Sequence, residues 1–267
     1  MQDYGLVSII MPNFNCAALI GFSIKTVLAQ TYKNWELLIQ DDCSTDNPEV
    51  LIKHYEDKDP RIKFERNLEF SGAAVSRNNA LKRAKGRWIA FLDSDDLWEP
   101  DKLEKQLRFM VENNYHFSYT GYQEIDNYGK ETGCVVSGPK HISKIGMYSF
   151  CWPGCLTVMY DREAIGLLQI ADIKKNNDYA MWLRVIEKTP CYRFGECLSY
   201  YIKHDGSISS GSKLKLIKHH YILWRVAEHK NPISAWVLTF RNIFWWLIKR
   251  VKYKKDIKEV PTNVTFQ

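Results

Sequence analysis

The sequence predicts an α/β fold, a mostly parallel sheet with helices on both faces, and three observations lead there. Apolar runs alternate four times with helical stretches over the first hundred residues. The runs are nearly continuous in their apolar character, as strands covered on both faces are. Polar clusters follow three of the runs directly, where such sheets bind ligands, at the carboxyl ends of their strands.

Taken in order, Leu6–Met11 reads as the first strand, ended by Pro12-Asn13, and a helix spans roughly 17–30. Trp35–Gln40 is a second buried strand and runs into Asp41-Asp42; residues 47–55 are helical. Ile62–Glu65 is a short third strand, and a helix over 72–84 is expected to close on Gly86 as its C′ residue. The fourth strand, Trp88–Leu92, leads straight into Asp93-Ser94-Asp95-Asp96. After Pro100 the pattern changes to a helix near 101–113, strands at 116–124, 132–137 and 156–160, a helix at 177–188 and a strand pair within 191–203. The 267 residues suffice for one large domain, or one domain with an appendage.

Three strand ends therefore meet at one crevice. Asp93, Asp95 and Asp96 offer hard oxygen ligands, and one or two carboxylates plus phosphates is the usual way to hold Mg2+ or Mn2+. The competing reading is a solvated turn before a helix. Asp41 and Asp42 can accept hydrogen bonds from ribose hydroxyls or a base imide. Capping the next helix is the alternative, although Ser44, Thr45 and Asp46 already supply caps.

Val7-Ser-Ile-Ile-Met-Pro-Asn-Phe-Asn15, Gln30 through Asp46, Gly72-Ala-Ala-Val-Ser-Arg-Asn78 and Phe91-Leu-Asp-Ser-Asp-Asp96 together resemble the successive signatures of glycosyltransferase family 2. The resemblance covers about the first hundred residues. It implies a GT-A fold and an inverting transfer from a nucleotide-sugar, UDP-linked by the weight of the family, with Mn2+ or Mg2+ as cofactor. It implies that Pro12, Asn13 and Phe14 line the nucleotide pocket, with Phe14 stacked on the base, and that Asp41 and Asp42 serve base or ribose. Gly72, Arg77, Asp93, Ser94 and Asp95 complete the donor site, while Asp95 and Asp96 take the metal. Asn176-Asn177-Asp178 through Arg184 resembles the family's Glu-Asp-x-x-x-x-Arg element and makes Asp178 the general base, with Asn177 where many relatives have Glu. His204 stands where some members place a further metal ligand, and residues 205–213 where a loop orders over donor. The expected organisation is a catalytic domain at 1–212, with a nucleotide-sugar half at 1–100 and an acceptor half at 101–212, followed by a helical tail at 213–267.

That tail has its own chemistry. Residues 213–258 hold twelve Lys or Arg against Glu228 and Asp256, a net +10, which leaves the rest of the +6 chain at −4. Trp236, Phe240, Ile243, Phe244, Leu247, Ile248 and Val251 recur at helical spacing, flanked by Arg241, Lys249, Arg250, Lys252, Lys254 and Lys255. The run is too interrupted to span a bilayer. An amphipathic helix lying on an anionic membrane fits it, and a helix packed on the catalytic domain is the other reading. Nucleic acid is not expected as a partner, because no nucleic-acid fold accompanies the segment and the body is acidic.

Seven scattered cysteines and a first apolar run far too short for a secretory leader point to a cytoplasmic protein, peripheral on the inner face of the membrane. Cys151 and Cys155 lack a second ligand pair for zinc. A sugar nucleotidyltransferase would want a Gly-rich phosphate loop with a Lys after the first strand, which Pro12–Cys16 is not. A non-catalytic membrane-bound nucleotide-sugar binder is the remaining alternative. The expected acceptor is a saccharide or lipid-linked saccharide of surface-polysaccharide assembly.

Overall fold

A computed structural model describes residues 2–126, 129–203 and 213–256. The first half follows the expected alternation: β1 (Val7–Asn13), α1 (Ile20–Leu28), β2 (Trp35–Asp41), α2 (Glu49–Glu56), β3 (Ile62–Arg66), α3 (Ala73–Arg83) and β4 (Trp88–Phe91). These strands form a parallel sheet in the order β3-β2-β1-β4. Alternate residues of each strand enter different cores. Val7, Ile9, Met11, Leu37, Ile39, Ala90 and Leu92 join the cluster with α1 and α4 (Lys102–Glu112). Ile10, Leu38, Ile89 and Phe91 join the cluster on the opposite face. Burial on both faces is why the strands read as unbroken apolar runs.

Pro12 survives inside β1 because β4 stops short of it. The β1–β4 ladder ends at Ile10 and Phe91, so the N–H that proline lacks has no strand to meet on that side. Gly86 differs from its expected role. Helix α3 ends earlier, at Ala84 in extended conformation, and a Cβ on Gly86 would lie 2.6 Å from the Leu6 carbonyl oxygen and the Ser8 nitrogen. Close approach of β1, not a left-handed helix cap, is what requires glycine there.

Beyond β4 the sheet becomes mixed. The remaining strands are β5 (Asp96–Trp98), β6 (Phe117–Ile125), β7 (Glu131–Val136), β8 (His141–Ile142), β9 (Met159–Asp161), β10 (Cys191–Ile202) and β11 (Lys254–Asp256). Strand β9 runs antiparallel between β4 and β6, and β7 and β11 extend that edge. The expected strand pair at 191–203 is a single twelve-residue strand, β10, with register shifts where it passes β6. Helices α5 (Lys144–Ser149), α6 (Arg162–Ile165) and α7 (Asn177–Ile186) cover the second core.

The tail is built into the fold. Helix α8 (Lys213–Ile222) continues through a π turn at Leu223–Ala227 into α9 (Pro232–Lys252), which starts on an Asn231 side-chain cap with Pro at its first position. Leu223, Trp224, Ala227 and Ala235 belong to the same core as α7, and β11 pairs with β7. Trp224 is fully buried and its Nε1 donates to Asn242 Oδ1 at 3.2 Å. Trp224→Phe should therefore lower the stability of the whole catalytic fold by about 1–2 kcal/mol in a urea melt, through a small cavity and one lost hydrogen bond. A separate, earlier unfolding step for the tail would contradict this. Among the described residues, no helix is long and apolar enough to cross a membrane.

Candidate active site

The nucleotide half is organised by two buried carboxylates. Asn13 Nδ2 donates to Asp41 Oδ1 at 2.7 Å, and Ser44 donates to both Asp41 oxygens, from its hydroxyl at 2.5 Å and its N–H at 3.0 Å. Asp41 has no exposed surface, so it locks the β1 and β2 turns together and presents no oxygen to a ligand, unlike the direct donor contact expected for it. Asn13 is likewise buried and committed to this network. Asp42 accepts from Asn67 Nδ2 and the Ser71 N–H at 2.8 Å each, and from the Gly72 N–H at 2.7 Å. That carboxylate holds the approach to α3. Gly72 takes φ 89°, with open space where a Cβ would stand.

Phe14 projects from the end of β1, 47% exposed. Its ring lies 4.8 Å from that of Phe70, which is 64% exposed. Two solvent-facing aromatics beside Asp42 form a surface suited to a flat base. Phe70 was not legible in the sequence, because it follows β3 in a loop with no periodic signal.

The Asp run leaves β4 as a tight turn, with the Asp96 N–H donating to the Asp93 carbonyl at 3.1 Å. Ser94 is buried, and its carbonyl accepts from Ser23 Oγ at 2.9 Å. Asp93 pairs with Arg77, whose Nη2 lies 2.5 Å away. Arg77 is buried, and its Nη1 donates to Asn177 Oδ1 at 3.0 Å, which ties the turn to the start of α7. Asn177 thus accepts from Arg77 at the start of α7. Asp96 opens β5 beneath the turn, and the Ile202 N–H reaches its Oδ1 at 3.4 Å. Burial, then the charges of Asp95 and Asp93, push the Asp96 carboxyl well above the usual carboxylate range.

Carboxylate oxygens are the donor type that a hard divalent cation takes. With Asp93 held by Arg77, Asp95 and Asp96 are the residues of the turn that could offer oxygens to such a cation, with substrate phosphates filling the rest of the shell. Among the described residues no three His, Cys, Asp or Glu side chains converge as a closed metal cage. His204 lies outside the described residues, as do 205–212 of the segment expected to order over donor; Lys213 begins α8.

Asp178 stands on the first turn of α7, partly exposed. Burial raises its carboxyl above the usual range, Arg77 draws it back down and Asp93 pushes it up. The segment 150–155 lies alongside, since Cys151 and Cys155 both feel the Asp178 charge. Donor-side aspartates and Asp178 therefore share one buried cation, Arg77.

Known proteins resemble this chain in sequence and in fold. The sequence model of Glycosyl transferase family 2 matches residues 8–135. The Bacillus subtilis glycosyltransferase TuaG, attributed to teichuronic acid biosynthesis, is 41% identical over 231 residues, covering 86% of this chain and 91% of its own. The Escherichia coli enzyme WfgD, a UDP-Glc:alpha-D-GlcNAc-diphosphoundecaprenol beta-1,3-glucosyltransferase, is 43% identical over 236 residues, covering 88% and 90%. In fold, the chain is similar to S. aureus TarS 1–349 in complex with UDP-GlcNAc, with a TM-score of 0.71 at 17% identity over 92% of this chain and 74% of that one. It is also similar to the Pyrobaculum calidifontis mannosyltransferase PcManGT in complex with GDP-Man and Mn2+, with a TM-score of 0.62 at 15% identity over 92% and 71%. The chain has the GT-A fold and belongs to glycosyl transferase family 2.

Proposed function

We propose that this glycosyltransferase moves a sugar from a UDP-sugar, with inversion, onto a lipid-linked saccharide in cell-surface polysaccharide assembly. The observation that supports the reading is the Arg77 bridge, which ties the Asp93–Asp96 turn to the start of α7, where its charge also acts on Asp178. Phe14 and Phe70 would receive the base and Asp42 the ribose or base edge, with Asp41 and Asn13 supporting them from below. Asp95 and Asp96, with His204, would hold Mn2+ or Mg2+, which would stabilise the departing diphosphate. Asp178 would take the acceptor hydroxyl's proton. The TuaG and WfgD likenesses support the polysaccharide setting, and WfgD's donor and acceptor support UDP and a lipid diphosphate. Incubating the protein with a set of nucleotide-sugars and Mn2+ should give hydrolysis of a UDP-sugar above the others, abolished by chelation. Equal rates with and without metal would remove the metal from the reading, and no turnover of any donor would favour a non-catalytic binder.

The tail supports a peripheral membrane location on the cytoplasmic side. Ile233, Val237, Phe240, Phe244, Leu247 and Val251 are all more than half exposed and follow one another every three or four residues along α9. That spacing puts them on one outward stripe. Several basic residues expected at the lipid are used elsewhere: Arg241 donates to Ser149 Oγ and the Ile145 carbonyl, Lys249 to the Trp152 carbonyl, and Lys254 pairs with Glu124. Apolar insertion would then dominate over charge, so binding to anionic vesicles should persist at moderate salt. Phe240→Glu with Phe244→Glu should reduce co-sedimentation about tenfold or more. Binding unaffected by the pair would exclude this stripe as the docking face.

A further inference from the structure

Helix α9 also reaches the catalytic cleft from behind. Asn242 Nδ2 donates to the Ser149 carbonyl at 2.6 Å and to the Tyr148 carbonyl and the Tyr179 hydroxyl at 3.2 and 3.3 Å. Tyr179 adjoins Asp178, so α9 is seated against the start of α7. Two turns further along the same inward face, Lys249 Nζ donates to the Trp152 carbonyl at 3.0 Å and lies 5.2 Å from the centre of the Phe150 ring. Trp152 is itself packed by Trp245 and Tyr253, with ring centres at 5.9 and 5.4 Å. The 150–155 segment is thereby held between α9 and Asp178.

An ammonium carries three donors. Lys249 places one on the Trp152 carbonyl, and among the described residues no carboxylate lies within ion-pair distance of it. Neighbouring Cys151 supplies no countercharge, because burial and Asp178 raise its thiol and keep it neutral. Burial brings Lys249 itself down to about 8, with the Asp178 charge partly offsetting it, so it remains mainly charged at neutral pH. A partly buried cation with no carboxylate within ion-pair distance is costly unless a ligand supplies the anion.

We propose that Lys249 receives the diphosphate of the acceptor, so that the C-terminal helix supplies the anion-recognising part of the acceptor site. This rests on the lipid-linked reading above and extends it to a named residue. The helix geometry suits such an acceptor: Lys249 faces inward onto the 150–155 segment while Phe244, Leu247 and Val251 face outward, about one helix diameter, roughly 10 Å, away. A diphosphate at Lys249 would have its lipid leaving toward the apolar stripe.

The test is a binding measurement on the full chain with UDP and Mn2+ present, using dodecyl diphosphate against the neutral dodecyl maltoside as probes. The wild-type protein should prefer the diphosphate by about twentyfold or more. Lys249→Met should lose that preference, and so should Lys249→Gln, which keeps a donor for the Trp152 carbonyl but drops the charge. Lys249→Arg should keep it within about threefold. Circular dichroism on each variant reports folding. Equal affinity of wild type for the two probes, or a preference retained by Lys249→Gln, overturns the proposal. The donor reading stands or falls separately, on UDP-sugar hydrolysis by the wild-type protein.

Discussion

Asp178→Asn should lower sugar transfer about 10³-fold while UDP-sugar affinity stays within a factor of about three, a size typical of removing a general base. The donor elements, Phe14, Phe70, Asp42 and the Asp93–Asp96 turn, lie on other strands and loops, so a neutral isostere at 178 leaves them in place. Only the carboxylate form of Asp178 can take a proton. Burial lifts its folded pKa above the ordinary value, and Arg77 does not bring it fully back. The proposed base is therefore lost as pH falls through this raised value. The acid limb of kcat/KM should sit at a higher pH than the roughly 3.9 of a free aspartate. Steady-state transfer rates over pH and calorimetric titration with UDP-sugar check both parts. Substantial transfer by the Asp178→Asn protein would assign the base elsewhere.

Much of the donor half was legible because its physics is local. A strand buried on both faces must be apolar throughout, and its polar end marks where the run stops, so β1, β2 and β4 announced both themselves and the polar turns that follow them. Local reasoning could not separate the two neighbouring carboxylates at the end of β2. Both are buried, but Asp41 is consumed by Asn13 and Ser44 whereas Asp42 accepts from Asn67, Ser71 and Gly72 at the α3 approach, and that distinction depends on partners 25 to 30 residues away. The tail shows the same limit. Its 3.6-residue periodicity predicted the helix, but α9 has two working faces. Asn242 and Lys249 face the domain and Phe240, Phe244 and Leu247 face solvent. A count of basic residues assigned Arg241 and Lys249 to a membrane because charge alone does not say which way a side chain points. Strand β11 was missed for a related reason: Lys254–Asp256 has no strand-like pattern and exists only because the β7 edge is there to pair with it.

Arg77→Met should damage stability and catalysis together. The arginine is buried against Asp93 at 2.5 Å and against Asn177, and methionine keeps much of its volume but none of its donors. Removing one member of a buried pair typically costs 3–5 kcal/mol because the other charge is left uncompensated. The Asp93 side chain is 29% exposed and can recover some hydration, so a loss of about 2–4 kcal/mol in a urea melt is expected. Catalysis suffers by a different route. Arg77 is the group that draws the Asp178 carboxyl down, so without it the base protonates more readily and the acid limb of kcat/KM moves to higher pH. Lysine should not rescue the variant, because one ammonium cannot reproduce the planar fork that reaches Asp93 and Asn177 at once. Recovery of both the melt and the pH profile in Arg77→Lys would mean that charge alone matters at this position. If only the melt recovers, the fork geometry is what sets the donor turn against the base.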